Sequence, residues 1–410
     1  MKIQRCKGMR DLSPEEMTVF RLVEGVCRDT CSGWGYREVR TPTIEYLHLF
    51  TSAGTLTPGR LGKVYSFLDW DGWSGERVVL RPDGTIPVAR LYTESYQGEL
   101  ARLFYAANIF IFEEAGDKTR ERWQCGAELI GAGSAVAEVE LITLSLEVLK
   151  KLGLKGVELQ LSHAGLIKVL LEKLGLSPEE QNLMFGRILD GDAGALREVS
   201  RKSPELADTL RPFLNLKGQS SGFLRNQKAL LARTVPEIRP YLDEFLETAK
   251  LLDGLGIEYQ INIASGAGFE YYTGIIFQFF IGKEKVGGGG RYDALIPSMG
   301  GGDVPASGFA LYLDSLVKLV SPTAVGGAVT GRVQVRVKST DAVKEAFGAA
   351  GKLRESGYIV ELDIDGKKTG ADWIVEVGEK FTMVNMNTKK KKEASTVSEV
   401  LKILEAEGGD

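Results

Sequence analysis

A chain of 410 residues, 43% hydrophobic and 26% charged, has the length and composition of a globular protein with two or three domains. Its formal net charge of -4 gives no overall positive field for nucleic acid, and no apolar run reaches the roughly 18 to 20 residues of a membrane span. The first residues lack the apolar core of a signal peptide, and the four cysteines and two histidines form no metal-ligand pattern. We therefore expect a cytoplasmic protein with no cofactor and with no membrane or nucleic-acid partner.

The first hundred residues predict a long helix and, later, a second helix that begins directly after a strand. Ser13 is predicted as the N-cap of the first helix, with Pro14 at its first position and Glu16 completing a capping box. Near residue 80 an apolar strand passes through a turn into helical sequence, so Asp83 and Thr85 would stand at the start of the second helix. An ordinary cap and a ligand contact explain these two side chains equally well.

The most informative stretch is residues 103–131, which predicts two strands joined by a polar loop. Successive side chains of a strand point to opposite faces, so Gln124, Gly126 and Glu128 share one face, while the other face is apolar. Buried polar groups need partners, so the polar face is either a binding surface or a solvated one. In the first case, the gap at Gly126 would hold a small ligand whose donors meet Glu128 and whose acceptor meets the Gln124 amide.

The middle of the chain predicts a helical insert and then a return to strands. The insert is expected at about residues 164–254, after an alternating strand that ends at His163, for which we expect a structural role. Residues 257–316 return to strands, with a glycine turn at 286–293 and an apolar helix that begins at Gly308.

A change in composition marks a domain boundary. Residues 321–330 are rich in proline, glycine and alanine, which is typical of a linker. The sequence beyond them alternates strand and helix patterns. We therefore predict a main domain of residues 1–320 and a small C-terminal α/β domain of residues 331–410.

Five parts of the main domain, taken in chain order, resemble histidyl-tRNA synthetase, a class II aminoacyl-tRNA synthetase. They are residues 8–14 with 35–45, residues 80–85, residues 124–128, residues 271–274 and residues 288–293. They resemble, in that order, the first class II motif, the synthetase's Leu-Arg-Pro-Glu-Gly-Thr segment, the histidine-binding end of the second motif, and the two histidine-specific signatures. The resemblance implies an α+β fold in which helices flank an antiparallel sheet and a helical insert follows.

The resemblance also implies a pocket for histidine. The positions that it assigns to histidine binding are Asp83, Thr85, Gln124, Glu128, Tyr271 and Tyr272. Histidine would pair its amino group with Asp83, which is one methylene shorter than the synthetase's glutamate, and its imidazole with Glu128. Its carboxylate would need Gln124 or another donor.

The catalytic part of the synthetase pattern is altered. The synthetase uses three arginines to neutralise the ATP phosphates and the reacting carboxylate, and Ile111, Ala267 and Ser315 stand at their positions. Tyr312 replaces a glycine that lies beneath the adenine, so we expect the nucleotide slot to be filled. Removing one preorganised charge-stabilising donor typically costs about 2.7 to 4 kcal/mol of transition-state stabilisation. We therefore expect this chain not to be an enzyme.

A retained histidine pocket without the ATP arginines resembles the regulatory subunit of ATP phosphoribosyltransferase, a non-catalytic relative of the synthetase in histidine biosynthesis. The resemblance implies a short-form catalytic subunit as partner, free histidine as an allosteric ligand, and a homodimer within a hetero-oligomer. One alternative is a divergent histidyl-tRNA synthetase (histidine-tRNA ligase) that positions ATP with Arg120, Arg122 or Arg291. Another is a synthetase-like scaffold with no histidine affinity.

Overall fold

The computed structural model describes residues 4–52, 61–70, 75–112, 119–173, 217–263, 271–321, 331–363 and 370–407, with isolated positions between 176 and 201. The chain divides into two compact units, Met1–Ala324 and Val325–Asp410. Each unit has a hydrophobic core of its own. In the part of the chain that is described, no helix is both long enough and apolar enough to cross a membrane.

The first unit is a mixture of helices and strands. Its helices are α1 Pro14–Gly33, α2 Leu47–Ser52, α3 Thr85–Ser95, α4 Ala135–Lys151, α5 Ala164–Glu172, α6 Ser221–Thr234, α7 Arg239–Gly254, α8 Leu295–Ser298 and α9 Leu313–Leu319. Its strands are β1 Arg37–Glu38, β2 Ile44–Tyr46, β3 Ser66–Trp70, β4 Gly75–Leu80, β5 Ala101–Phe110, β6 Glu121–Ile130, β7 Val157–His163, β8 Lys217–Gly218, β9 Gln260–Asn262, β10 Ile275–Ile281, β11 Glu284–Arg291 and β12 Ala306–Tyr312. Helix α1 begins with the predicted capping box, because Ser13 and Glu16 each accept a hydrogen bond from the other's backbone N–H, at 3.2 and 2.7 Å.

A nine-stranded sheet organises this unit, in the order β1-β5-β6-β12-β11-β10-β7-β9-β8. Its middle, from β5 to β7, is antiparallel throughout, whereas the pairs β1–β5 and β7–β9 are parallel. A separate three-stranded sheet has the order β2-β4-β3. The predicted antiparallel sheet with flanking helices is therefore confirmed.

Strand β6 is an interior strand of this sheet and has buried side chains on both faces. On its apolar face, Cys125 and Leu129 are fully buried, and Trp123 packs edge-on against Phe20 of α1, with 5.4 Å between ring centroids. On the opposite face, Gln124 and Glu128 are 3% and 0% exposed. The solvated-face alternative is therefore wrong, and the polar side chains of this strand need partners inside the protein.

Two local predictions on the following strands are wrong. The glycine run is not a turn: it forms the strand β11, which pairs with β10 on one side and β12 on the other. The sequence from Gly308 does not begin a helix either, because residues 306–312 form β12 and the helix α9 begins only at Leu313. In both cases, neighbours on two sides supply the ladder hydrogen bonds that local propensity does not predict.

The predicted insert contains the helices α5, α6 and α7 together with the short strand β8. Most positions between 174 and 216 lie outside the described residues, so the helical prediction for them is not addressed by the structure. The buried side chains of α7 include Leu242, Phe245 and Leu252, which belong to the core of the first unit.

The second unit is a five-stranded sheet with helices. Its strands are β13 Arg332–Val337, β14 Ile359–Leu362, β15 Trp373–Val377, β16 Phe381–Asn385 and β17 Lys391–Ala394, and its helices are α10 Val343–Glu355 and α11 Val397–Glu407. The strand order is β14-β13-β15-β16-β17, with the first two pairs parallel and the last two antiparallel. This agrees with the α/β pattern of the C-terminal sequence.

Candidate functional site

The candidate site is centred on Glu128, whose side chain is completely buried in the middle of the sheet. Its neighbours across the two adjacent strands are Leu103 and Gly308. A Cβ atom at Gly308 would lie 1.7 Å from Glu128 Oε2, so only glycine leaves room for the carboxyl group there. A glycine at position 308 of β12 is thus required for the Glu128 carboxyl group to occupy this place.

Two hydroxyl groups hold the Glu128 carboxyl group in place. The Thr85 hydroxyl donates to Oε1 at 2.7 Å, and the Tyr292 hydroxyl donates to Oε2. Burial raises the pKa of Glu128 to about 8, although both hydrogen bonds act to lower it, and the nearby Asp83 adds to the rise. The group therefore holds its proton at neutral pH in the ligand-free protein.

Asp83 stands beside Glu128 and has a structural role of its own. Its Oδ1 accepts a hydrogen bond from Ile86 N at 2.9 Å, so the side chain caps the start of α3. Burial raises the pKa of Asp83 to about 6, while backbone N–H groups of residues 84–86 act to lower it. Burial therefore raises the pKa of both carboxyl groups, and it raises that of Glu128 further.

Four buried tyrosines surround the two carboxyl groups, and we call them the tyrosine cluster: Tyr105, Tyr271, Tyr272 and Tyr292. The ring centroid of Tyr271 lies 5.1 Å from that of Tyr272 and 5.6 Å from that of Tyr292. Burial raises the pKa of every one of these phenols well above its usual range, so all four are neutral. Lys168 of α5 anchors the cluster by donating to the Tyr272 carbonyl at 3.0 Å.

The predicted gap at Gly126 is wrong, because Tyr105 fills it. Tyr105 lies directly opposite Gly126 in the β5–β6 register, and a Cβ atom at Gly126 would lie 2.4 Å from its ring. A Cβ atom at Gly84 would be 2.3 Å from the same ring. The two glycines therefore make room for a tyrosine of the protein.

Two polar atoms of the site have no hydrogen-bond partner although they are buried. They are the hydroxyl of Tyr105 and Oε1 of Gln124. The neighbouring Thr85 hydroxyl donates to Glu128. Leaving a buried donor or acceptor unsatisfied costs about 1 to 3 kcal/mol. Such atoms in one site are typical of a place where a ligand completes the hydrogen bonds.

Comparison with known proteins identifies the family of this chain. The family model described as histidyl-tRNA synthetase matches residues 8–316. A protein of Dehalococcoides mccartyi (strain ATCC BAA-2100 / JCM 16839 / KCTC 5957 / BAV1), named ATP phosphoribosyltransferase regulatory subunit, is 49% identical over 409 residues and covers 99% of both chains. The chain belongs to the ATP phosphoribosyltransferase regulatory subunits, within the histidyl-tRNA synthetase family.

More distant relatives agree on the fold. A histidine–tRNA ligase of Archaeoglobus fulgidus is 33% identical over 399 residues, covering 94% of this chain and 92% of the ligase. A crystal structure from Bacillus halodurans, described as an ATP phosphoribosyltransferase regulatory subunit/histidyl-tRNA synthetase, has a TM-score of 0.75 at 25% identity and covers 90% of this chain and 95% of its own. The predicted class II synthetase-like fold is thereby confirmed.

The motif resemblance assigns the synthetase's ATP arginines to positions 111, 267 and 315, of which the structure describes the first and the last. Ile111 follows the end of β5 and is half-buried, and Ala267 lies outside the described residues. Ser315 of α9 donates to Glu284 Oε1 at 2.7 Å. Tyr312 lies directly opposite Gln124 in the β6–β12 register. The described residues at these positions are uncharged.

The three arginines considered as substitutes for ATP binding are occupied elsewhere. Arg291 faces away from Glu128, because it neighbours Tyr292 on the chain and pairs with Glu138 of α4 at 2.6 Å. Arg120 lies over the Phe112 ring, with 4.2 Å from its guanidinium carbon to the ring centroid. Arg122 donates to the Thr119 carbonyl at 3.1 Å.

All six predicted histidine-binding residues are buried in the first unit, and Thr85 and Glu128 are in direct contact. Sequence reasoning gave no role to Tyr105, Tyr292 or Gly308. Tyr292 lies inside the segment 288–293 that resembles a histidine-specific signature. An isolated aromatic residue next to a glycine run is a signal that sequence reasoning could have used. Tyr105 has no such signal, because its place opposite Gly126 depends on the register of the hairpin.

Proposed function

We propose that this chain is the non-catalytic regulatory subunit of an ATP phosphoribosyltransferase and that it binds histidine beside the tyrosine cluster. Relatives that match 99% of the chain carry the name of that subunit. The partner is a short-form catalytic subunit. That subunit forms phosphoribosyl-ATP, and this chain supports its activity. The protein is cytoplasmic and acts as a homodimer within a hetero-oligomer.

The observation that carries the histidine proposal is the unsatisfied buried oxygen Gln124 Oε1, on the same face of β6 as the buried carboxyl group of Glu128. A ligand with N–H donors at both ends satisfies this arrangement. An imidazole N–H binds Glu128, and the ligand's ammonium group meets the Asp83 carboxyl group and the Gln124 oxygen. The neutral tyrosines enclose the apolar part of the ring.

The absence of catalysis follows from the charges that the reaction needs. Adenylation places a negatively charged carboxylate against the triphosphate of ATP, and preorganised cations lower that barrier. Ile111, Ala267 and Ser315 supply none. Tyr312 places a phenol ring where the nucleotide base would lie. The chain therefore binds the amino acid but does not activate it.

The proposed regulation is a coupling free energy between the histidine site and the surface that contacts the catalytic subunit. If histidine lowers the activity of the complex by favouring one arrangement of this chain, the catalytic subunit must change the affinity for histidine by the same factor. Calorimetric titration of histidine with and without the catalytic subunit measures that factor directly.

The deciding experiment reconstitutes the chain with a short-form catalytic subunit from the same genome and follows phosphoribosyl-ATP formation while histidine is titrated. We expect activity to require the chain and to fall with histidine. The Glu128→Ala variant should still support activity but lose histidine binding and inhibition. The control Glu94→Ala removes a half-exposed carboxylate on the outer side of α3 and should behave as wild type. Activity without the chain would contradict the regulatory role, and unchanged histidine binding by Glu128→Ala would contradict the site.

The second candidate function is a divergent histidine–tRNA ligase, which the 33% identity to such ligases favours. It predicts histidine-dependent exchange of pyrophosphate into ATP. We expect none from the purified chain, with a known histidyl-tRNA synthetase as positive control. Exchange above the level of a Glu128→Ala variant would overturn the non-catalytic assignment.

A further inference from the structure

The proposed histidine site leaves the ligand's carboxylate without a cation. The ligand's imidazole is held at Glu128, and the next polar side chain of β6 on this face is Gln124, about 13 Å along the strand at 3.3 Å per residue. An amide alone is a weak partner for a carboxylate that is being removed from water, because an uncompensated charge in the interior is costly. A positive group near the Gln124 end would compensate that charge.

The sheet register identifies which residues stand at that end. Tyr312 of β12 lies directly opposite Gln124. The ammonium group of Lys285, on the next strand β11, lies over the Tyr312 ring, 5.9 Å from its centroid. Lys285 pairs with Phe280 beyond a bulge in the β10–β11 ladder, and the bulge turns it to the same face as Tyr312. The Lys285 ammonium group is thus placed beside the residue that faces Gln124 across the β6–β12 pair.

Other cations close to the site are directed away from this point. Lys168 donates to the Tyr272 carbonyl at 3.0 Å, and Arg291 lies on the opposite face with Glu138. Arg122 shares the face of Gln124 but stands two residues further out, about 7 Å along the strand. Its Nε donates to the Thr119 carbonyl in the hairpin loop.

We infer that Lys285 binds the carboxylate of the amino-acid ligand and that Tyr312 holds its ammonium group in position. This inference rests on the proposed histidine binding and assigns a specificity-determining residue to the same site. Lys285 then selects an α-amino acid over analogues of the same imidazole that lack a carboxylate. Tyr312, which closes the nucleotide slot, contributes to amino-acid binding because its ring face attracts the Lys285 ammonium group.

The test compares two ligands and four forms of the full-length chain by isothermal titration calorimetry. The ligands are L-histidine and L-histidinol, in which a hydroxymethyl group replaces the carboxylate. Wild type should prefer histidine. In Lys285→Met, the affinity for histidine should fall about tenfold to hundredfold, which is the loss of one charged hydrogen bond. The affinity for histidinol should stay within about twofold, so the preference disappears.

Two further variants serve as matched controls. Lys285→Arg keeps the cation and should retain part of the preference for histidine. Arg122→Met removes the other cation on this face and should keep the wild-type preference in full. Thermal unfolding of each variant checks that the fold is intact. If Lys285→Met weakened the affinity for both ligands equally, the effect would be structural and the inference would be overturned.

The outcomes separate this inference from the function on which it rests. If wild type binds neither ligand, the proposed histidine site fails and the role of Lys285 fails with it. If wild type prefers histidine and Lys285→Met keeps that preference, only the assignment of Lys285 is overturned. Loss of the preference in Arg122→Met would move the carboxylate site to the hairpin loop.

Discussion

At the scale of single residues, Glu128 combines full burial with two hydrogen-bond donors. Removal from water disfavours its charged form more strongly than the hydroxyls of Thr85 and Tyr292 favour it, so its pKa rises from 4.5 to about 8. A neutral carboxyl group at pH 7 costs less to bury than a carboxylate. The site therefore tolerates the buried group without a ligand, and a neutral imidazole, whose second ring nitrogen is basic, can accept that proton.

This pKa predicts how stability changes with pH. Between pH 4.5 and about 8, the folded chain keeps a proton on Glu128 that the unfolded chain has lost. The free energy of unfolding therefore decreases as the pH rises through this window, by up to about 1.4 kcal/mol per pH unit. Below pH 4.5 both states are protonated and this penalty is absent. Above pH 8 Glu128 is ionised in both states, and the full penalty applies.

Urea unfolding of wild type and Glu128→Gln from pH 4.5 to 8.5 measures this effect, because all other titrating groups are common to both proteins. The glutamine cannot ionise, so the variant should gain stability relative to wild type as the pH rises. A stability difference that does not change with pH would show that Glu128 ionises normally in the folded protein.

At the scale of elements, strand β11 and the residue after it connect the site to the helices behind the sheet. Tyr292 donates to Glu128 on one face, while Arg291 pairs on the other face with Glu138 of α4 and with Glu244 of α7, at 2.6 and 3.3 Å. Glu138 also accepts from Thr248 of α7 at 2.8 Å. The strand that leads directly into Tyr292 of the tyrosine cluster is thus tied to a helix of the insert.

Arg291→Met should strongly destabilise the first unit. Glu138 is 0% exposed, and removal of its cation leaves a buried charge uncompensated, which typically costs about 3 to 5 kcal/mol. Urea unfolding measures the loss. The double variant Arg291→Met with Glu138→Gln leaves no buried charge and should recover part of the stability. A single variant within about 1 kcal/mol of wild type would mean that the ion pair contributes no more than a surface pair does.

At the scale of the whole molecule, the two units have separate cores. Phe381 and Met383 belong to the core of the second unit, and the residues of the candidate site all lie in the first. Stability of the second unit should therefore be adjustable without a change in ligand binding.

Phe381→Ala tests this separation. Phe381 is 2% exposed, and truncation of a buried phenylalanine typically costs about 3 to 5 kcal/mol. Hydrogen exchange should accelerate in residues 331–407 but not in β5, β6 or β12, and the histidine affinity should stay that of wild type. Phe347 belongs to the same unit and is 58% exposed, so Phe347→Ala should change neither the hydrogen exchange nor the histidine affinity. A weaker histidine affinity in Phe381→Ala alone would show that the second unit contributes to the site.

Local patterns in the sequence were enough for features that depend on neighbours along the chain. The capping box of α1 depends on residues three apart, and the shared face of Gln124 and Glu128 depends on the alternation of one strand, so both were predicted correctly. The order of the segments was enough for the class II fold and the family. The six histidine-binding residues stay a prediction, although the structure buries all of them.

Features that depend on register between distant strands were decided only by the tertiary structure. The glycine run looks like a turn until β10 and β12 pair with it, and Gly126 looks like a gap until Tyr105 stands opposite. Arg291 looks like a substitute for a missing arginine until the strand turns it toward Glu138. Each depends on which face a residue presents and what lies across the ladder, because a shift of one residue in register exchanges the two faces.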